Sequence, residues 1–314
     1  MGGGGPSGWS GGSGGAGPSA DDLVRRGATQ VEKENYNAET NAYLQDLLAD
    51  YNNRKQEEIT QHLETIKDAL NKENIGSCNL LFGGSIKKHT YVDGLSDADV
   101  LAEINDTALV DKTPAQVLDY FAQRLRERLP NTEIRVGKLA VTVVFSDGHE
   151  IQVLPMVKTS AGLRLSAGNG DKWSNVIHPE KFAEKLTDVN KANNNGVVPA
   201  IKLLKAINST LPEDSQLSGY HIEAGAINAF KNYEGSMSRK EMLMHLTLYM
   251  SETVLEPIKD ETGQSINVDE KLGPKGSLER QRANWQFKRF YNKMKLADSY
   301  NSVRGWKELF GDES

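Results

Sequence analysis

The stretch that decides the fold is 83–100, GGSIKKHTYVDGLSDADV, in which a Gly-Gly-Ser turn precedes Asp97 and Asp99. The apolar run 78–82 before the turn predicts a short strand, and 97–104 (DADVLAEI) predicts a second one. Because side chains alternate along a strand, Asp97 and Asp99 are expected to project from one face. Two neighbouring carboxylates repel each other, and a hard divalent cation with oxygen ligands, such as Mg²⁺, relieves that repulsion. The pattern therefore predicts a metal site.

The turn at 83–85 adds a phosphate-binding element to this metal site. Its backbone N–H groups and the hydroxyl of Ser85 are suited to phosphate oxygens. Either motif alone is weak evidence, because glycine and serine are common in turns and a pair of aspartates is common on solvated loops. The joint pattern, a glycine-serine turn followed by aspartates on a strand, is far more specific and favours a metal-phosphate ligand.

The segments around this stretch predict a mixed α/β lobe followed by a helical lobe. Residues 36–73 have the apolar spacing of one long helix, which is expected to brace both lobes. Thr113-Pro114 predicts another helix start, and 133–145 with 150–157 predict a β-hairpin. After residue 179 the periodicity is helical, over 182–190, 197–208, 219–230, 240–255 and 278–299. The fold class expected is α+β, with a flexible tail over 1–35, a core domain over 36–175 and a helical domain over 176–314.

The composition limits the partners of the protein. The chain has 314 residues, and 37 Lys+Arg against 43 Asp+Glu give a net charge of −6, which argues against binding long nucleic acids or anionic membranes. A single cysteine, Cys78, excludes a disulfide framework and fits a reducing cytoplasm. No apolar run reaches the ~18 residues of a membrane span. The first twenty residues hold 10 of the 29 glycines, which is typical of a flexible tail.

The motif GGS…T…GLSDAD resembles the signature of the polymerase-β-type nucleotidyltransferases. In particular, it resembles the signature of the bacterial CD-NTases (SMODS-type cyclic oligonucleotide synthases), which are relatives of oligoadenylate synthetase and cyclic GMP-AMP synthase. Three further segments extend the resemblance. Residues 150–155 (EIQVLP) are similar to the strand with the third acidic residue, 198–205 (VPAIKLLK) to the helix with a phosphate-binding lysine, and 218–223 (SGYHIE) to the next helix start. The similarity spans roughly residues 36–311.

The resemblance implies a polymerase-β-like lobe and a helical C-terminal lobe that share one nucleotide cleft. It implies that Asp97, Asp99 and a third carboxylate are catalytic and hold two Mg²⁺ ions, or Mn²⁺. The residues that it assigns to the nucleotide are Gly84 and Ser85 for the β,γ-phosphates, Lys205 for the triphosphate charge, and Ser218 for support from the helical lobe.

One position departs from the family pattern. Where most of the family has the third carboxylate, three residues before Pro155, this chain has Gln152. Glu150 lies two residues earlier, so it is expected on the same face of the strand. We favour Glu150 as the third metal ligand. A Gln152 ligand through its amide oxygen, or a weak or inactive enzyme, are the alternatives.

The function that the resemblance implies is condensation of nucleoside triphosphates into a cyclic di- or trinucleotide, with release of pyrophosphate. Such a product would act in antiphage signalling of the CBASS type, through a separate effector protein that binds it. Two other functions stay open. One is nucleotide transfer to tRNA or to a protein, and the other is a catalytically silent sensor that only binds nucleotides.

Overall fold

The fold is a mixed sheet with helices on one face, joined to a bundle of helices. The computed structural model describes residues 20–53, 56–71, 78–81, 90, 98–104, 109, 111–137, 139–160, 162–166, 172–174, 176, 179–258, 269 and 272–312. Among the helices that these residues form, none combines the length and the apolar composition of a membrane span.

The N-terminal part of the chain consists of helices α1 (Ala20–Asn53) and α2 (Gln56–Asn71). The sequence predicts one helix over 36–73; residues 54–55, between α1 and α2, lie outside the described part. The tail predicted over 1–35 is wrong for residues 20–35, which are helical. This segment contains good helix formers after the glycine-rich stretch ends, and Lys33 on it lies 3.1 Å from the Asp298 carboxylate. Residues 1–19 lie outside the described residues.

Among the described residues the sheet has six strands, and its centre is the parallel pair formed by β2 and β5. Its strands are β1 (Cys78–Leu81), β2 (Ala98–Ile104), β3 (Glu133–Val136), β4 (Val141–Val144), β5 (Glu150–Thr159) and β6 (Gly162–Leu165). The order is β1-β2-β5-β4-β3, with β6 paired to the C-terminal part of β5, and every other pair is antiparallel. The hairpin predicted around 146–149 is present between β4 and β5. The run 133–145, predicted as one strand, is two strands that reverse at Gly137.

The helix-covered face of the sheet forms one hydrophobic core. Helix α3 (Pro114–Arg128) starts as predicted, because Thr113 and Gln116 form a capping box and Pro114 follows the cap. Apolar residues of α2 and α3 pack against alternate residues of the two central strands, including Val100 and Ile151. On the opposite face, Leu101 and Met156 belong to a separate, smaller apolar cluster. The alternation along β2 and β5 therefore leaves one face of the sheet without these helices.

The C-terminal part is helical, as expected. It contains α4 (Pro179–Ala192), α5 (Val197–Ser209), α6 (Gly219–Phe230), α7 (Arg239–Thr253), α8 (Leu278–Ser299) and α9 (Val303–Lys307), with 3-10 turns at Glu213–Ser215 and Glu308–Phe310. Helix α5 lies at the centre, since residues along its whole length are buried. Helix α1 packs against this second core through Tyr36, Leu44 and Leu48, whereas α2 packs on the sheet. The two N-terminal helices thus pack against different hydrophobic cores.

Helix α1 is attached to the bundle by polar contacts at its middle. The fully buried Trp306 donates its indole N–H to the hydroxyl of Tyr36 at 2.7 Å. The buried Lys240 ammonium donates to the side-chain oxygen of Asn37 at 2.7 Å and to the Asp298 carboxylate. These contacts join α1 to α7, α8 and α9. They explain why a helix with a weak apolar pattern before Tyr36 is held in place.

Candidate active site

The candidate site lies where β2 and β5 run side by side. In the parallel register, Asp99 pairs with Gln152, Leu101 pairs with Leu154 and Ala98 pairs with Ile151. Since Ile151 belongs to the helix-side core, the alternation places Glu150, Gln152 and Leu154 on the other face of β5. The register brings Asp99 beside the strand predicted to carry the third ligand. Asp97 lies outside the described residues, so its role stays a prediction.

Strand β1 leads towards the same place. It is antiparallel to β2, and Leu81, its last residue, pairs with Leu101, two positions after Asp99. The chain therefore leaves β1 beside the N-terminal half of β2. Gly83, Gly84 and Ser85, the predicted phosphate-binding turn, follow directly in the sequence and lie outside the described residues.

Glu150 is the first residue of β5, and its side chain is held by an arginine that the sequence reasoning missed. Arg135 Nη1 donates to Glu150 Oε1 at 3.1 Å, while its Nε and Nη2 donate to the two oxygens of Glu133 at 2.8 and 3.0 Å. The hydrogen bonds to Glu133, and secondarily the charge of Glu150, raise the pKa of Arg135 above its ordinary value. The pair is exposed, with 37% of the Glu150 side chain accessible. No local pattern in the sequence indicates this contact, because it depends on the pairing of β3 with β4 and of β4 with β5.

Glu150 and Gln152, the two candidates for the third metal ligand, have different surroundings. Gln152 is half-buried and directly opposite Asp99 in the ladder. Glu150 carries a negative charge but lies two residues earlier in the strand, beside Arg135. An exposed ion pair contributes only about 0–1 kcal/mol, so a divalent cation is able to displace Arg135 from Glu150.

Lys205, the lysine predicted to contact the triphosphate, lies on α5 and is 6% exposed. Its Nζ donates to Glu223 Oε1 at 2.8 Å and to the backbone carbonyl of Thr90 at 3.0 Å. Thr90 is itself fully buried and donates its hydroxyl to Glu223. Thr90 stands in the sequence between the glycine-serine turn and the aspartates. The helical lobe therefore contacts Thr90 through a buried charge pair.

Glu223 and Gly219, both on α6, complete this contact. Glu223 is 1% exposed, and it is the acidic residue of the SGYHIE segment, to which the sequence reasoning gave no role. A Cβ atom at Gly219 would lie 3.1 Å from Lys205 Nζ, which is tighter than ordinary packing, so the glycine makes room for the lysine. Next to them, burial and then the charge of Lys205 lower the pKa of Lys202.

Ser218 lies at the start of α6, as the sequence predicts. Its Oγ accepts a hydrogen bond from the backbone N–H of His221 at 3.2 Å and caps the helix. The residue is exposed, and its hydroxyl keeps a proton to donate. The N-terminal end of a helix favours anions, so this position suits a phosphate. The neighbouring Tyr220 ring packs on Phe182 at 4.7 Å, in the helical core.

These features agree with the fold expected from the sequence. A mixed sheet with a parallel central pair, the strand β2 that carries Asp99 beside β5, and a helical lobe whose Lys205 donates to Thr90 are all compatible with a polymerase-β-type nucleotidyltransferase.

A sequence match supports the family resemblance. Residues 38–190 match the model of the Second Messenger Oligonucleotide or Dinucleotide Synthetase domain. The resemblance stated above is therefore confirmed. No match to a curated protein was found.

Solved structures of CD-NTases share the fold. The Bradyrhizobium diazoefficiens CD-NTase CdnG in complex with GTP is 13% identical, with a TM-score of 0.64 over 81% of this chain and 89% of that one. Escherichia coli MS115-1 CdnC with ATP is 16% identical, with a TM-score of 0.66 over 88% and 98%. The Vibrio cholerae DncV cyclic AMP-GMP synthase, in complex with nonhydrolyzable GTP, is 12% identical, with a TM-score of 0.59 over 94% and 91%. The fold-class prediction is confirmed by this likeness.

Proposed function

We propose that the protein is a metal-dependent nucleotidyltransferase that condenses nucleoside triphosphates into a cyclic di- or trinucleotide and releases pyrophosphate. The observation that carries the proposal is the register of the central strands, which pairs Asp99 of the aspartate motif with Gln152 and brings Glu150 next to it along β5. The family description, an oligonucleotide or dinucleotide synthetase domain, agrees with this activity. The GTP and ATP complexes of the CdnG and CdnC structures support nucleoside triphosphates as substrates.

The residues of the site fit a hard divalent cation. Asp97, Asp99, Glu150 and Gln152 offer oxygen donors alone, which is the donor set that Mg²⁺ and Mn²⁺ prefer. The Glu150 carboxylate is accessible, and its exposed contact with Arg135 is weak enough to be exchanged for a metal ion. We therefore assign Asp97, Asp99 and Glu150 as the ligands, with Gln152 as the alternative to Glu150.

In this mechanism the protein mainly positions charges. Bound cations would supply Lewis-acid stabilisation of the attacking hydroxyl and of the departing pyrophosphate oxygens. Gly84 and Ser85 hold the β,γ-phosphates, and Ser218 donates its hydroxyl from the start of α6. An ammonium group has three donors, and two of those of Lys205 are engaged by Glu223 and Thr90 within the described residues. We assign the third donor to a phosphate oxygen, with the buried pair still formed.

The experiment is incubation of the pure protein with labelled nucleoside triphosphates, singly and in pairs, in the presence of Mg²⁺ or Mn²⁺. A phosphatase-resistant labelled product supports cyclisation. Label transferred to RNA or to protein would replace the proposal by a transferase for another acceptor. Retained nucleotide binding without turnover would make the protein a silent sensor. The Asp99→Asn variant, which loses a metal ligand, is the control that must form no product.

The third ligand is tested with a pair of variants on the same strand. Glu150→Ala is expected to lower turnover by about 100-fold or more, because removing one of three anionic ligands weakens a two-metal site. Gln152→Ala is expected to reduce turnover less. The fold should survive both changes, since neither side chain belongs to the buried apolar core. Normal turnover in Glu150→Ala, together with a large loss in Gln152→Ala, would transfer the role to Gln152.

Such a product is a signal only if another molecule recognises it. We propose that a separate effector protein binds the cyclic nucleotide, in signalling of the CBASS type. Affinity capture with the product identified in the first experiment tests this step. The outcome of this capture does not affect the assignment of the catalytic residues.

A further inference from the structure

Three side chains with metal-ligating atoms meet where α2 packs on the turn between β4 and β5. They are His62 of α2, and Asp147 and His149 of the turn, and their ligating atoms all lie within 4.8 Å of one another. His62 Nε2 is 2.7 Å from Asp147 Oδ2, and His149 Nδ1 is 3.1 Å from Asp147 Oδ1. Asp147 thus lies between two imidazoles that come from elements far apart in the sequence.

The fold orients each member of this cluster. The His62 ring stacks on Phe145 with 3.7 Å between ring centroids and 18° between planes, which fixes the direction of its Nε2. The turn is tight: Phe145 N–H donates to the His149 carbonyl at 2.9 Å, and Gly148 takes a left-handed φ of 91°. The His149 N–H also donates to Asp147 Oδ1 at 3.1 Å. The side chains of His62 and His149 are only 18% and 9% exposed, so both imidazoles are largely withdrawn from solvent.

The donor set indicates the kind of ion. Two imidazole nitrogens and one carboxylate oxygen form a three-ligand set that suits Zn²⁺, with a fourth position left for water. The oxygen-only set on β2 and β5 suits Mg²⁺ instead. At Zn–ligand distances of about 2.0–2.1 Å, tetrahedral ligand atoms are about 3.3 Å apart. The closer contact, at 2.7 Å between His62 and Asp147, would therefore have to open by only roughly 0.6 Å.

We propose that His62, Asp147 and His149 form a second metal site, which binds a transition-metal ion such as Zn²⁺ and is separate from the catalytic cations. The ion clamps α2 to the β4–β5 turn. That turn ends at His149, immediately before Glu150, so the clamp also fixes the start of the strand that carries the proposed third catalytic ligand. Its role is structural, and the site does not depend on the proposed reaction.

The test is a Zn²⁺ titration against a competing chromogenic chelator, in the full chain carrying Asp99→Asn, so that the catalytic site contributes little. One Zn²⁺ per chain is expected, and Zn²⁺ should raise the midpoint of thermal unfolding by several degrees. Adding His62→Gln or Asp147→Asn should weaken binding more than about 100-fold and abolish the rise, since even outer partners of a metal ligand matter by about 10–100-fold.

Two matched variants serve as controls. Asp188→Asn removes an exposed carboxylate from α4, and His245→Gln removes a histidine whose Nε2 contacts the Ala229 carbonyl. Both should keep the Zn²⁺ affinity and the Zn²⁺-dependent rise, whatever they do to stability without metal. Equal Zn²⁺ affinity in the Asp147→Asn protein, or no binding in the Asp99→Asn protein, would overturn the proposal and leave a hydrogen-bonded cluster only. Because Asp147 is exposed, the Asp147→Asn variant should fold and stays informative even if His62→Gln fails to fold.

Discussion

Replacing Glu223 by glutamine removes the only described counter-charge within hydrogen-bond distance of the Lys205 ammonium. The lysine is 6% exposed and the glutamate 1%, so the ammonium is left buried without a counter-charge among the described residues. Breaking a buried pair in this way costs about 3–5 kcal/mol. For a unit of 150–250 residues, each kcal/mol lowers the unfolding midpoint by about 2–4 °C, so the expected fall is roughly 10 °C.

The double variant Lys205→Met/Glu223→Leu separates stability from chemistry. Replacing both charges by apolar side chains removes the unpaired ion, so most of the lost stability should return. Turnover should stay low, because Thr90 no longer receives the Lys205 donor and the triphosphate loses a positive charge. Thermal unfolding and steady-state turnover are measured on both variants. Glu252→Gln on α7, an exposed position, is the control and should change stability by less than about 0.5 kcal/mol.

Two results would refute this reasoning. A Glu223→Gln protein as stable as the wild type would mean that the Lys205 ammonium does not need its partner. A double variant with normal turnover would mean that neither the grip on Thr90 nor the charge of Lys205 serves the reaction.

Three further predictions concern the attachment of α1 and the tail. Trp306→Phe leaves the Tyr36 hydroxyl without the indole donor and should lower the free energy of unfolding by about 1–3 kcal/mol, measured by thermal unfolding. Adding Tyr36→Phe should restore part of that loss. No effect of either change would contradict the contact. Burial raises the pKa of Asp298, but hydrogen bonds from two lysines outweigh the effect of burial and hold that pKa below its usual value. The ionised Asp298 therefore contributes stability above about pH 4, and this contribution is lost as the pH falls through the lowered pKa. Acid unfolding of Asp298→Asn should show a weaker pH dependence there. Deleting residues 1–19 should change neither turnover nor the unfolding midpoint, and a loss of either would give this glycine-rich segment a role.

The periodic segments of the chain were predictable because their structure is determined locally. The helices at 219–230 and 278–299 have the predicted bounds, and the cap at Thr113 forms as expected. The helix bounds follow from the spacing of apolar side chains, and the cap follows from residues within one helical turn of each other. The helix before Tyr36 was missed because its apolar face is weak. Its position is set by Lys33, which contacts a residue near the other end of the chain.

At the candidate site, too, local motifs were predictable from the sequence and tertiary contacts were not. The motifs indicated Asp99 and Glu150 by type and spacing, and the register between β2 and β5 brings their strands together. The partners of Glu150 and Lys205 were not predictable. Arg135 reaches Glu150 across two strand pairings, and Glu223 meets Lys205 from a different helix. Such contacts depend on tertiary packing, which no local pattern in the sequence records.

Mass spectrometry of the reaction products, with each nucleoside triphosphate alone and in pairs, tests the proposed reaction most directly. We expect a cyclic di- or trinucleotide together with pyrophosphate from the wild-type protein, and neither from Asp99→Asn. A linear extension of RNA, a nucleotide attached to protein, or the same cyclic product from Asp99→Asn would contradict it.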